Sequence, residues 1–256
     1  MRTKSYWNKS DGGADPFELP KRIAKGLEDC KETAANAEDA SRLRYLWIYV
    51  TESGLRKDSN STEPHDRLGL EGWLNVIDES ASLGAQWMVV YVGASLSQVP
   101  YIWRMCEWAQ DVHGLRVGLH LTSNCLSEDD IEQLTRLESD KTYLIADKEH
   151  IASLRYLEAS GLHLSEANIR PSERAKHCTK PEEIACVGTD GRLFSCGLVL
   201  GDERFEMGDA QDRTLRDVME DQSLPHEVPD TTAFPSEGCD ACPPLLAHRA
   251  LEKELL

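Results

Sequence analysis

Long apolar runs are missing from this 256-residue chain, and none approaches the ~20 residues that a membrane-spanning helix requires. The N-terminal stretch MRTKSYWNKSDGGADPF has basic residues but lacks the apolar segment of a secretory signal, so a cytoplasmic location is expected. Positive charge is also scarce. Lys and Arg number 28 against 45 Asp and Glu, giving a formal net charge of -17. A field of that sign repels phosphate backbones and anionic lipids, which argues against nucleic-acid and membrane-surface partners. The same charge is also what a well-solvated surface carries.

Hydrophobic residues make up 40% of the chain, enough for a substantial core in one or two domains. Residues 17–40 read as an amphipathic helix opened by Pro20, with Cys30 facing its core side. From residue 43 short apolar runs alternate with helical patterns. Strands are expected at 43–50, 86–92, 115–122, 141–147 and 162–169, and helices at 67–84, 99–114, 127–139 and 151–161. Ser127 is an N-cap followed by an acidic first turn. Such alternation implies βαβ units, a parallel sheet and right-handed crossovers, in an open sheet or an incomplete (β/α) barrel. Either arrangement places functional loops at the strand C-termini, here TESGLRKDSNSTEP, GASLSQ and SNCLS.

After Arg170-Pro171 the alternation stops. The division expected is an N-terminal helical lead over 1–40, a barrel-like region over 41–170 and a Cys-rich, turn-rich region over 171–256. The last contains a hairpin at 184–196 turning at Asp190-Gly191, an acidic loop and a short helix at 214–220.

Five of the eight cysteines fall between 178 and 242. Cys178, Cys196 and the C-x2-C pair Cys239/Cys242 form a pattern, because a C-x2-C turn directs two sulfurs at one centre and the hairpin brings Cys196 back towards the segment carrying Cys178. Four thiolates complete the ligand set of a zinc ion or of an iron-sulfur cluster, and ligand identity does not separate the two. Buried cysteines without a metal are the competing reading. Cys186, on the partner strand of the hairpin, is a packed thiol or a substitute for Cys178. Cys30, Cys106 and Cys125 are scattered singly and read as lone thiols. His120 lies in a strand pattern and reads as a satisfied core residue. His177 adjoins Cys178 and could donate to cluster sulfurs. Glu52 and Asp58 could line a pocket, although a solvated loop is the default for both.

The spacing Cys178-x12-Gly191-x4-Cys196 followed by Cys239-x2-Cys242 resembles the Twitch form of the SPASM domain, the C-terminal extension of many radical S-adenosylmethionine (radical SAM) enzymes. TDGRLFSCG is similar to that family's hairpin, and FEMGDAQDRTLRDVME is similar to the stretch that follows it. LSEDDIEQLTRL resembles a helix of the family's partial barrel. The resemblance runs over about residues 43–245. It implies an α/β fold, a partial (β/α) barrel of about five to six parallel strands followed by a small SPASM/Twitch domain. It also implies one auxiliary 4Fe-4S cluster held by Cys178, Cys196, Cys239 and Cys242.

One family signature is absent. Active members carry C-x3-C-x2-C after the first strand, and here the three positions read Ser53, Lys57 and Asn60 within TESGLRKDSN; Leu55 and Arg56 remain from the surrounding motif. A hydroxyl, an ammonium and an amide do not replace thiolates on iron. The family's G-G-E-P motif reads Val92-Gly93-Ala94-Ser95, without its carboxylate. Cys125 alone does not rebuild a three-thiolate site. The expectation is a degenerate member that does not cleave S-adenosylmethionine and serves as accessory, electron-transfer or substrate-presenting partner of a radical SAM maturase or redox complex. An enzyme with SAM-independent chemistry in the barrel mouth and a zinc-stabilised interaction protein are the rival expectations.

Overall fold

The computed structural model describes residues 43–50, 68–92, 96, 99, 101–121, 126–167, 183–226, 242–244 and 246–247, all within one compact unit, Ala40–Leu256. The helix expected over 17–40 lies outside these residues.

Each apolar run becomes a strand because it buries both faces, as parallel strands do. The strands are β1 (Tyr45–Tyr49), β2 (Trp87–Tyr91), β3 (Arg116–Leu121), β4 (Thr142–Ala146) and β5 (His163–Glu166). Between them run α1 (Gly69–Ser82), α2 (Ile102–Glu107), α3 (Glu128–Arg136) and α4 (Lys148–Leu154). Helix α2 widens into a π-helical turn at Trp108–Val112. There Trp108 Nε1 donates to Asp78 Oδ1 of α1 at 2.6 Å, and His113 Nε2 lies 2.7 Å from the same oxygen, pinning the two helices together. Helix α3 opens with a capping box in which Ser127 and Asp130 satisfy each other's backbone N–H. Helix α4 begins at Lys148, ahead of the expected 151, and the second half of the expected span is a 3-10 turn, Arg155–Ser160.

The sheet order is β5-β4-β3-β2-β1-β6-β7-β8. Strands β1 to β5 add one after another on the same side, all parallel, so right-handed crossovers put their helices on one face. On the far flank of β1, β6 (Ile184–Val187) pairs parallel, making six parallel strands. It turns through Gly191, at φ 83°, into antiparallel β7 (Arg192–Phe194). A further strand, β8 (Glu206–Asp209), pairs with β7 where a loop is expected from the acidic sequence. Arg192 joins the two strands, donating to Asp190 at 2.6 Å and Glu206 at 3.1 Å. The short helix expected at 214–220 is α5 (Leu215–Glu220), capped by Thr214.

The two faces of the sheet differ in chemistry. Leu46, Ile48, Met88, Val90, Val117, Leu119, Leu144 and Ala146 form the aliphatic, helix-side face, and all are fully buried. The alternate residues form the inner face: Trp47 and Tyr49 of β1, Trp87 and Val89 of β2, Tyr143 and Ile145 of β4, and Ile184 and Cys186 of β6, joined by Phe194, Cys196, Cys242, Leu246 and Ala247. Strand β3 contributes Gly118 to this face. A Cβ there would lie 2.7 Å from Leu246 Cδ2 and 3.1 Å from Val89 Cγ2, so the segment carrying Cys242 and Leu246 is seated directly on the β3 backbone.

Candidate functional site

Three thiols share the inner face. Cys186 is in register with Trp47 across β1/β6 and opposite Phe194 across the hairpin. Cys196 lies two residues beyond Phe194 with extended backbone (φ -160°, ψ 150°), which returns its side chain to the same face. Cys242 joins them from the C-terminal segment, and all three are at least nine-tenths buried. The chain after Cys196 runs flat against aromatic rings. A Cβ on Gly197 would lie 2.5 Å from Tyr49 Oη and 2.8 Å from Trp47 Cη2, so no larger residue fits.

Burial, and next the proximity of Cys196, hold the Cys186 thiol well above its ordinary range. The Tyr49 phenol is also pushed well up, by burial first and then by Cys186, Cys196, Tyr91 and Cys242. Both shifts favour the protonated Cys186 thiol and Tyr49 phenol, a preference that a bound cation beside them would oppose. Soft sulfur is the donor chemistry that a thiolate-ligated metal centre uses. Two of the four expected ligands, Cys196 and Cys242, are brought into this one cluster; Cys178 and Cys239 lie outside the described residues. Among the described residues no three His, Cys, Asp or Glu side chains form a group able to hold a metal ion. Cys106 is buried in α2, its thiol raised by burial and then by Glu107, and is a lone core thiol as expected. Cys30, Cys125, His177, Ser53, Lys57, Asn60, Glu52, Asp58 and Ser95 also lie outside the described residues.

At the C-terminal ends of the parallel strands a second group converges. Tyr49, Tyr91, His120 and Ile145 occupy one row of the inner face, by the register of β1 to β4. Tyr91 stacks on Tyr49 with ring centroids 4.9 Å apart and meets the His120 ring edge-on at 5.0 Å. His120 is not the satisfied core residue that its strand pattern implies. It is 6% exposed, and among the described residues neither ring nitrogen has a hydrogen-bond partner. Burial pushes its pKa down to about 4 against the opposing pull of Asp147, so the ring is neutral at pH 7. Burial and then Asp147 raise the Tyr91 phenol. Asp147 follows β4 directly, as the N-cap of α4. Sequence reasoning passed over Tyr91 and Asp147. The one local signal was a carboxylate ending the buried strand KTYLIAD, at the end of a parallel sheet where sites gather.

No protein-family model and no curated protein sequence matches the chain. Among solved structures it is similar to BtrN, determined in complex with AdoMet and 2-DOIA, at 14% identity and a TM-score of 0.50, covering 78% of this chain and 91% of BtrN. It is also similar to Streptococcus suis SuiB bound to S-adenosylmethionine, at 12% identity and a TM-score of 0.46, covering 86% of this chain and 72% of that one. SuiB bound to its precursor peptide SuiA matches at 11% identity and a TM-score of 0.48, covering 94% and 79%. The likeness to BtrN establishes the fold. That fold agrees with the radical-SAM-type α/β sheet implied by the sequence resemblance.

Proposed function

We propose that the chain binds one 4Fe-4S cluster through Cys178, Cys196, Cys239 and Cys242 in a SPASM/Twitch-like region over 171–256. On this reading it acts as an accessory to a radical SAM maturase or redox complex without cleaving S-adenosylmethionine itself. The observation that carries the reading is that Cys196 and Cys242, distant in sequence, both belong to one buried cluster on the inner face of the sheet. Bound there, a fully thiolate-ligated cluster supplies one-electron transfer or structural cross-linking. The residues of this chain define its setting. Trp47 and Tyr49 wall the Cys196 segment and exclude water, and the β6/β7 hairpin fixes the position of that segment in the sheet.

The fold is one in which BtrN accommodates AdoMet. What argues against radical chemistry here is the donor set after β1. Ser53, Lys57 and Asn60 stand where three thiolates are needed, and Ser95 stands in place of the acid that would hold the cofactor's amine. These residues do not fit a SAM-binding cluster. The test is incubation of the reduced, cluster-reconstituted full chain with S-adenosylmethionine and dithionite, followed by assay for 5'-deoxyadenosine. The expected result is no more than trace product. Catalytic amounts, abolished by Cys125→Ala, would show that a first cluster is built from other ligands and would overturn the non-cleaving reading.

A further inference from the structure

We infer that Glu79 of α1 is a latch, tightened by protons, that holds the β7–β8–α5 segment against the parallel-stranded half of the sheet. This goes beyond the cluster reading and rests only on contacts within the chain, whether or not a metal is bound. Strands β7 and β8 are the last two of the sheet, beyond β6. Helix α5 packs against β8, since a Cβ on Gly208 would lie 3.8 Å from Val218 Cγ2. Helix α1 belongs to the other half, between β1 and β2, yet it reaches this segment at two places. At its start, Leu68 touches the hairpin turn, where a Cβ on Gly191 would lie 3.3 Å from Leu68 Cδ2. Near its end, Glu79 Oε2 accepts a hydrogen bond from the Leu215 backbone N–H at 2.5 Å. Leu215 is the first residue of α5, so its N–H has no partner within the helix. Thr214 Oγ1 supplies a local cap by accepting from the Asp217 N–H, and Glu79 supplies a second one from α1.

The latch is an acid among acids. Glu79 is half-buried, and the charged groups that face it are Asp78 beside it on α1 and Asp217 and Arg216 on α5. Burial raises its pKa above the ordinary glutamate value of 4.5; the Leu215 N–H pulls it down, Asp217 and Asp78 push it up, and Arg216 opposes them. Asp78 is held by Trp108 and His113, and Asp217 accepts from Thr214 Oγ1 at 2.8 Å. Neither carboxylate swings away from Glu79 without breaking a bond. A protonated carboxyl keeps a carbonyl oxygen able to accept the Leu215 N–H. Protonation therefore removes the repulsion and the cost of burying a charge while the bond remains. The sign follows. The folded state binds the Glu79 proton more tightly than the unfolded chain does. This contribution is fully present below pH 4.5 and is lost as pH rises through the higher folded value. Acid thereby tightens the seat of α5 and, through β8, of the strand β7 that runs towards Cys196.

The test follows the Leu215 amide resonance of the full chain, labelled with 15N-leucine, as pH falls from neutrality. The expected result is a titration with a midpoint above 4.5. It should be absent in Glu79→Gln, whose amide keeps the acceptor oxygen and carries no charge. Hydrogen exchange supplies the second readout. At pH 7 the amides of β8 and α5, normalised to those of β1, should exchange more slowly in Glu79→Gln than in the native sequence. Glu79→Ala, which removes the acceptor, should exchange faster than Glu79→Gln. A midpoint at or below 4.5, a Leu215 titration that persists in Glu79→Gln, or exchange in Glu79→Gln as fast as in the native sequence would overturn the proposal. The titration of the native sequence needs no variant, so the test survives a substitution that fails to fold.

Discussion

A buried neutral imidazole gives the fold a pH dependence of predictable sign. The His120 pKa is about 4 in the folded chain, below the ~6.5 of an unhindered histidine. Between those values the unfolded chain takes the proton first. The contribution is therefore flat above neutrality. As pH falls through about 6.5 it becomes destabilising, and it levels off below about 4. The separation corresponds to a loss of about 3 kcal/mol. Asp147 opposes the effect without cancelling it, because burial is the larger influence. Urea unfolding at pH 7 and at pH 4.5 should show a steeper loss in the native sequence than in His120→Gln, whose amide does not titrate. Equal slopes would mean that His120 accepts a proton in the folded state. Nothing in LRVGLHLT marks this residue as unsatisfied, since a lone His in a strand most often has a partner. The orphaned ring follows from the residues that neighbouring strands bring beside it.

At the scale of elements, the inner face of the sheet is an interlocked surface in which glycine is required at two close approaches. Gly118→Ala would drive a methyl group into Leu246 Cδ2 at 2.7 Å and Val89 Cγ2 at 3.1 Å. The expected cost is about 1–3 kcal/mol, the range for overpacking a filled core. Leu246→Ala should itself destabilise by removing a buried side chain, and the double variant should lose less than the sum. Thermal or urea unfolding of the four proteins closes the cycle. Strict additivity would show that the Cys242–Ala247 segment does not rest on β3. Strands β1 to β5 were legible because continuous apolar runs bounded by turn residues have few alternatives. Strand β8 was not, because Glu-Met-Gly-Asp is polar and sits at the sheet edge, where pairing with β7 and the Arg192–Glu206 contact replace burial. The start of α4 at Lys148 was missed because its first turn is exposed and carries no apolar periodicity.

For the whole molecule, the order in which strands pair determines which residues meet. The C-x2-C spacing and the Asp190-Gly191 turn are local, so Cys196, Cys239 and Cys242 could be picked out along the chain, and the turn identified Cys186 as lying on the partner strand. That Trp47 and Tyr49 wall the thiols depends on β6 pairing with β1, a contact between residues far apart in sequence that no local spacing encodes. The convergence of Tyr91, His120 and Asp147 depends in the same way on the register of three parallel strands. Among the described residues no helix is long and apolar enough to cross a membrane. The net charge of -17 is the physical ground on which partners other than polyanions are expected.

The account rests on four cysteines acting as one metal centre, and the metal content of the protein tests this most directly. Full-length protein, purified and reconstituted anaerobically, is assayed for iron, acid-labile sulfide and zinc per chain, beside a Cys196→Ala variant. The account predicts about four irons and four sulfides per chain, with absorbance near ~400 nm, and loss of both in the variant. Stoichiometric zinc without iron, or an iron content untouched by Cys196→Ala, would contradict it.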